Sequence, residues 1–204
     1  MAKVKMSKKS TKIDMTAMCD VAFLLLSFFV MTSTAKVPEP LPVDTPASTR
    51  ETKLPETDLV TITVGDEKVF FGMVGQDVRA DALGRIAEKY QLTFTEEETK
   101  RFSLIDGFGV PAGNLKKLIS LKSDERNKEG VQPGIPYDSI DNQLREWILA
   151  ARFATKELHQ KELKVAIKGD AKEEYPTIKK VIDILQKQKI NKFFLVTGLR
   201  TEDF

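Results

Sequence analysis

Residues 163–197, LKVAIKGDAKEEYPTIKKVIDILQKQKINKFFLVT, decide how the larger part of the chain folds. LKVAIK is a short strand-like run, and Gly169-Asp170 breaks it into a loop. The next stretch sets Tyr175, Ile178, Val181, Ile182 and Leu185 at helical spacing, which predicts an amphipathic helix with those side chains inward. KFFLVT closes the stretch as a second strand. Strand, helix and strand in that order make a βαβ unit, the crossover that a parallel pair requires.

Upstream the helical period recurs. Residues 139–159 set Ile140, Leu144, Trp147, Ile148 and Ala151 on one face, and residues 76–90 do the same with Val78, Ala82, Leu83, Ile86 and Ala87. LVTITV at 59–64 and KVFFG at 68–72, joined by a Gly65-Asp66 turn, predict a β-hairpin. Residues 59–204 therefore read as a small α+β domain, sandwich-like, with helices packed on a sheet. Residues 93–138 interrupt it as a helical insertion, with helix-like AGNLKKLISLK followed by the polar SDERNKEGVQPGIPYD. Such an insertion either covers a sheet edge or binds a partner.

Residues 36–58, KVPEPLPVDTPASTRETKLPETD, hold five of the nine prolines and no hydrophobic period. Proline-rich chain extends at about 3.1 Å per residue, so this linker reaches up to about 60 Å. It either spaces the domain passively or gates and docks.

Residues 15–35, MTAMCDVAFLLLSFFVMTSTA, contain a single charged side chain, Asp20. As a helix the segment spans roughly 30 Å at about 1.5 Å per residue, the thickness of a hydrocarbon core. The basic tail of residues 1–14 carries Lys3, Lys5, Lys8, Lys9 and Lys12, against Lys36 and Arg50 downstream. The positive-inside rule keeps that tail in the cytoplasm and sends the domain out. A signal peptide cleaved after Ser33-Thr34-Ala35 is the alternative. The length of the run and Asp20 at its mouth favour a retained anchor, with the mature chain still starting at Met1 or Ala2.

Plain anchoring does not need an aspartate, which costs on the order of 2.5 to 3.5 kcal/mol at the centre of a membrane helix. At 100° per residue Thr16, Ser27 and Thr34 fall within about 40° of Asp20, so four polar groups share one stripe. Lipid cannot satisfy them; another helix or a hydrated crevice can. The stripe is either a packing seam or, more pointedly, a proton-carrying site.

KIDMTAMCDVAFLLLSFFVMTST resembles the N-terminal segment of the ExbD/TolR family of proton-channel subunits: a basic start, an I-x-x-T-x-x-x-D lead-in, an apolar Leu/Phe run and a closing threonine. Ala17 departs from the proline common after that Thr. VAIKGDAKEEYPTIKKVIDILQKQKINKFFLVT is similar to the family's periplasmic domain, and the two matches stand in the family's order. The resemblance implies that Asp20 carries the proton and that Thr34 is a polar residue near the outer end of the same helix. It implies no cofactor beyond protons as coupling ion and an inner-membrane, single-pass subunit with a periplasmic domain. It further implies a polytopic ExbB/TolQ-like partner and homodimeric pairing within a larger complex. The usual ligand of such domains is a TonB-like energy transducer, whose extended segment an open sheet edge can take up by strand addition. Contacts are then expected at Asp170, Lys172 and Tyr175, and along the last strand at Phe194 and Val196. The role expected is to use the proton motive force to energise outer-membrane transport. A TolR-like subunit gripping the cell wall, or a plain anchored binding module, is the alternative.

Composition closes off other classes. Lys plus Arg number 32 and Asp plus Glu 30, and the excess lies in the basic tail, so no nucleic-acid-binding surface is expected. One cysteine, Cys19, and one histidine, His159, exclude a disulfide framework and a closed zinc site. GFGVPAG at 107–113 lacks the preceding strand and following lysine of a phosphate loop. No spacing suggests a catalytic triad, and no enzyme activity is expected. His159, among charged residues at a helix end, reads as a solvated or capping side chain.

Overall fold

The computed structural model describes residues 15–33, 39–48, 53–128, 130–138, 141–171, 173 and 175–199. It divides into two compact units, Met1–Val37 and Pro38–Phe204. Thr34 and Lys172 lie outside the described residues, as does the basic tail.

The first unit contains helix α1, Met15–Thr32. None of its residues is buried, and its length and apolarity suffice to cross a membrane. Its apolar side chains are exposed all round the helix, with Phe23, Leu24, Phe29 and Val30 each more than 60 % accessible. A helix apolar on every side requires an apolar surrounding.

In chain order the second unit contains β1 (Ala47–Ser48), β2 (Leu59–Gly65), β3 (Lys68–Met73), α2 (Gln76–Tyr90), α3 (Glu96–Ser103) and β4 (Gly107–Phe108). A 3-10 turn (Ala112–Asn114), α4 (Leu115–Ser120), α5 (Ser123–Arg126) and α6 (Gln143–His159) follow. The unit ends with β5 (Lys164–Gly169), α7 (Tyr175–Lys187), β6 (Phe194–Val196) and β7 (Gly198–Leu199). The main sheet has the order β4-β3-β2-β5-β6, antiparallel on the β3 side and parallel through β2-β5-β6. The expected βαβ unit is thus β5-α7-β6.

Strand period puts Val60, Ile62 and Val64 on one face of β2, in register with Met73, Phe71 and Val69 of β3. All six are buried in one core with Val165 and Ile167 of β5 and the inner faces of α2, α6 and α7. Trp147 of α6 sits at its centre, stacked on Phe102 at 5.9 Å and edge-on to Phe108 at 4.7 Å. Phe102 and Phe108 come from the segment expected to be an insertion. That segment is integral to the core: β4 pairs with β3 at the sheet edge, and Leu115, Leu118 and Ile119 are buried. α3 is fixed by a capping box in which Thr95 Oγ1 accepts from the Glu98 N–H and the Glu98 carboxylate accepts from the Thr95 N–H.

Three local expectations shift. The hairpin turns at Asp66-Glu67, both left-handed (φ 51° and 58°), and Gly65 stays in the strand opposite Lys68. Tyr175 is 69 % exposed at the first position of α7, whose inward face is Thr177, Val181, Ile184 and Leu185. The helix expected over 139–159 starts at Gln143, where the Asn142 side chain caps it by accepting from the Arg145 N–H.

The far face of the sheet carries residues 39–48, from the stretch expected to be a free linker. The Ala171 N–H donates to Asp44 O at 2.7 Å, Lys168 pairs with Glu39, and β1 pairs in parallel with β7. Gly65 makes room for this strap. A Cβ there would stand 2.9 Å from Val43 Cγ1 and 3.1 Å from Leu41 Cδ2. The missing side chain therefore serves close approach, not turn geometry.

Candidate functional site

Asp20 stands at the sixth position of α1, exposed. Among the described residues its carboxylate has no hydrogen-bond or ion-pair partner. The neighbouring hydroxyls look after themselves: Ser27 Oγ donates to Leu24 O at 2.9 Å and Thr32 Oγ1 to Phe28 O at 2.8 Å, within the same helix. Thr16 is also engaged. Asp20 is therefore the group on α1 left without a partner among the described residues, on a helix where lipid would not satisfy it. Cys19 is exposed beside it.

In the second unit the residues expected to meet a partner fall at one end of the sheet. Phe194 and Val196 pair in register with Ala166 and Lys168, so they lie on the strap's face, half-exposed, while Leu195 on the other face is 63 % exposed. β6 ends the sheet order, and its outer edge is not paired among the described residues. Just beyond it, β7 is already paired by the chain's own β1. Asp170 serves that internal contact, its Oδ2 accepting from the Asp44 N–H at 3.4 Å. Tyr175 stands exposed at the start of α7. Asp170, Phe194 and Val196 thus gather around the strap and the β6 end, and Tyr175 is not in a shared cluster with them.

One constellation escaped the sequence reading. His159, the last residue of α6, is neither free nor a cap: its Nδ1 meets the Asp58 carboxylate and its Nε2 meets Asp77 Oδ2 at 2.8 Å. Two acceptors on one imidazole require both ring nitrogens to carry hydrogen, so the ring is held as a cation. The hydrogen bonds it donates to Asp58 first and Asp77 second raise its pKa, against desolvation, which lowers it. Reciprocally, the bond from His159 holds both carboxyls below their usual range, with Lys161 helping at Asp58 and the Val78 N–H at Asp77. The cluster ties the entry to β2, the start of α2 and the end of α6. His159 lies 101 residues from Asp58 and 82 from Asp77 in sequence, and only the spare charges of the three hinted at it. Arg79 is a buried cation that periodicity did not flag: its guanidinium donates to Met73 O and Ser103 O, both at 2.7 Å, and pairs with Asp106 at 2.8 Å.

Among the described residues no group of three or more His, Cys, Asp or Glu is arranged to hold a metal ion. Taken together, the described residues present an apolar helix with a lone carboxylate and a compact α+β unit whose buried charged side chains, Asp58 and Arg79, are paired. The family of biopolymer transport proteins ExbD/TolR matches residues 6–199, nearly the whole chain. No curated protein and no solved structure matches it significantly. Members of that family are transport subunits rather than enzymes and work in membrane complexes. By its sequence match and its one apolar helix, the chain belongs to the ExbD/TolR biopolymer transport family, as a single-pass membrane protein.

Proposed function

We propose that the protein is an ExbD-like subunit of an inner-membrane, proton-driven motor that energises TonB-dependent outer-membrane transport. The observation that carries this is Asp20: a carboxylate with no partner among the described residues, on a helix otherwise apolar all round. One helix encloses no pore, so α1 works against a polytopic ExbB/TolQ-like partner that supplies the rest of the path. Deprotonated, Asp20 favours a hydrated position; protonated, it can pass an apolar helix surface. Each proton crossing the membrane delivers about 2.3 kcal/mol per 100 mV, comparable to the cost of inserting a carboxylate, so one cycle suits such a switch. The N-terminus is cytoplasmic and the α+β unit periplasmic on this reading.

The unit would act as a dimer and take an extended segment of a TonB-like transducer along β6, where Phe194 and Val196 offer half-exposed apolar side chains. The internal β1-β7 pairing beyond β6 favours an extended chain as the ligand there, because that end of the molecule already accepts one. Asp20→Asn keeps shape and removes the charge. We expect it to abolish proton-driven uptake through TonB-dependent receptors while expression, insertion and partner co-purification persist. Uptake near the wild-type rate would end the proton-carrier reading. If uptake is untouched by deletion of the protein but the envelope becomes leaky, a TolR-like role replaces the ExbD-like one.

A further inference from the structure

The strap of residues 39–48 has a specific seat and no share in the core. Leu41, Val43 and Thr45 are half-buried and alternate with exposed Pro42, Asp44 and Pro46, so an extended chain lies with one side against the unit. Glycines admit it: a Cβ would stand 2.9 Å from Val43 Cγ1 at Gly65 and 3.3 Å from Thr45 Oγ1 at Gly198. The Asp44 and Pro46 carbonyls accept from the Ala171 and Gly198 N–H groups at 2.7 and 2.9 Å, and Glu39 pairs with Lys168. Yet none of the strap's described side chains is fully buried, and the core clusters without them. A segment seated mainly by backbone bonds outside the core opens locally while the rest of the unit stays folded.

What such an opening changes is the length of free chain. Glu39 follows Ser33, the residue after α1, by six residues, and Asp58 follows Ser33 by 25. Asp58 holds the chain again, its carboxylate meeting His159 and Lys161 and its carbonyl accepting from the Lys164 N–H at 2.9 Å. At about 3.1 Å per residue for proline-rich chain, the tether is about 20 Å long with the strap seated and about 80 Å with it released. Pro40, Pro42, Pro46 and Pro55 lie in the chain set free and keep it extended. Because α1 is the membrane helix of a single-pass protein, the length of the tether is the reach from the membrane.

We propose that the strap is a reach switch: seated, it keeps the α+β unit on a short tether to the bilayer, and released, it lets the unit engage a partner anchored farther out. Force along the chain is the signal it reads. The strap lies between α1 and Asp58 in the chain, so a pull on the unit against its membrane helix loads the strap's bonds first. Those bonds lie outside the core and yield before it does. The device uses the membrane helix alone, neither Asp20 nor the β6 edge, and it stands whether or not the motor reading does.

The test is single-molecule extension of the full chain in a nanodisc, with one handle at Met1 and the other on an azide-bearing residue in place of Lys100, exposed on α3. Expected is a reversible lengthening of up to about 60 Å, the chain between Glu39 and Asp58, at a force below that which unfolds the unit. In a Cys19→Ser background, Val43→Cys with Gly65→Cys places two thiols within disulfide reach across the seat. Oxidised, this pair should cut the lengthening to the few residues before Val43, and a reductant should restore it in the same molecule. Gly65→Val overfills the seat and should start long and show no step, with circular dichroism confirming that the unit is folded. The proposal is overturned if the wild-type chain lengthens only when the unit unfolds. It is equally overturned if the oxidised pair lengthens as far as the reduced one, or if Gly65→Val shows the wild-type step.

Discussion

Helices α1 and α6 are nearly equal in length, 18 and 17 residues, and treat their polar groups in opposite ways. On α6 both acidic side chains and the histidine find partners: Glu146 with Lys89, Glu157 with Arg85, His159 with Asp58 and Asp77. Its other face buries Leu144, Trp147, Ile148, Ala151 and Ala154. On α1 nothing is buried, the hydroxyls of Ser27 and Thr32 fold back onto their own helix, and Asp20 is left over. A charge with partners stabilises a fold; a charge without them, on an element that repels water, is a demand addressed to another molecule. The difference separates what holds the α+β unit together from the side chain on which the proposed function rests.

The sharpest way to break that comparison is to exchange the consequences. Trp147→Ala empties the centre of the aromatic cluster formed with Phe71, Phe102 and Phe108, and should cost about 3 to 5 kcal/mol, enough to unfold a marginal domain. Asp20→Asn should leave the thermal midpoint of the same domain unmoved while stopping function. Urea melts monitored by tryptophan fluorescence, with Trp147 the only tryptophan, read the Asn variant, and circular dichroism reads both. A Trp147→Ala protein that melts like the wild type would mean that the cluster is not the core's keystone.

A smaller effect is expected at the strap. Gly65→Val drives a side chain into Val43 and Leu41. Overpacking of this kind costs about 1 to 3 kcal/mol where the neighbours cannot move. Residues 39–48 can move, because they are held by a few bonds to Asp170, Ala171, Lys168 and β7. The expected outcome is release of the strap, seen as new protease cleavage within 39–48, with the denaturant midpoint falling by less than Trp147→Ala causes. Unchanged cleavage would show that Gly65 is not what admits the strap. Below that comes Thr95→Ala, which removes the hydroxyl half of the α3 capping box and should cost about 1 kcal/mol in the same melts.

These sites also mark where the sequence could be read and where it could not. The βαβ unit and α2 were legible because strong periodicity runs through them without interruption. The place of residues 93–138 in the core was not: β4 is two residues long, and Phe102 and Phe108 meet Trp147 only through tertiary packing. The strap was hidden because proline-rich chain has no period, and its bonds are mostly made by backbone atoms and by a glycine 20 or so residues away. Tyr175 was read as inward because it continues the spacing of Ile178 and Ile182, but the helix turns its Val181, Ile184 and Leu185 side to the sheet and leaves its first residue in solvent. Asp20 stands out from residue type alone, since a charge in an apolar run needs no tertiary context to be noticed.

The smallest effect sharpens the comparison at the foot of α6, where one histidine joins two carboxylates. His159 has its pKa raised above the ordinary imidazole value of about 6.5, first by Asp58 and then by Asp77, so its contribution to stability is fully present below about pH 6.5 and is lost as pH rises through the folded value. Asp58 and Asp77 have theirs lowered from 3.8, chiefly by His159, so their contribution is present above about pH 3.8 and is lost as pH falls through their folded values. The cluster therefore favours the fold most between those limits and weakens on either side. Lys161, which pairs with Asp58 at 3.3 Å, keeps part of the carboxylate's stabilisation when the imidazole loses its charge, so the alkaline loss is only partial. With His159 partly open to water the effect is a shallow slope in thermal midpoint, not a transition. His159→Gln should flatten the slope across neutral pH and lower the midpoint most on the acidic side of it. A midpoint that rises from pH 6 to pH 8 in the wild type, or a Gln variant that keeps the wild-type slope, would show that the imidazole bridge does not hold α6 to β2 and α2.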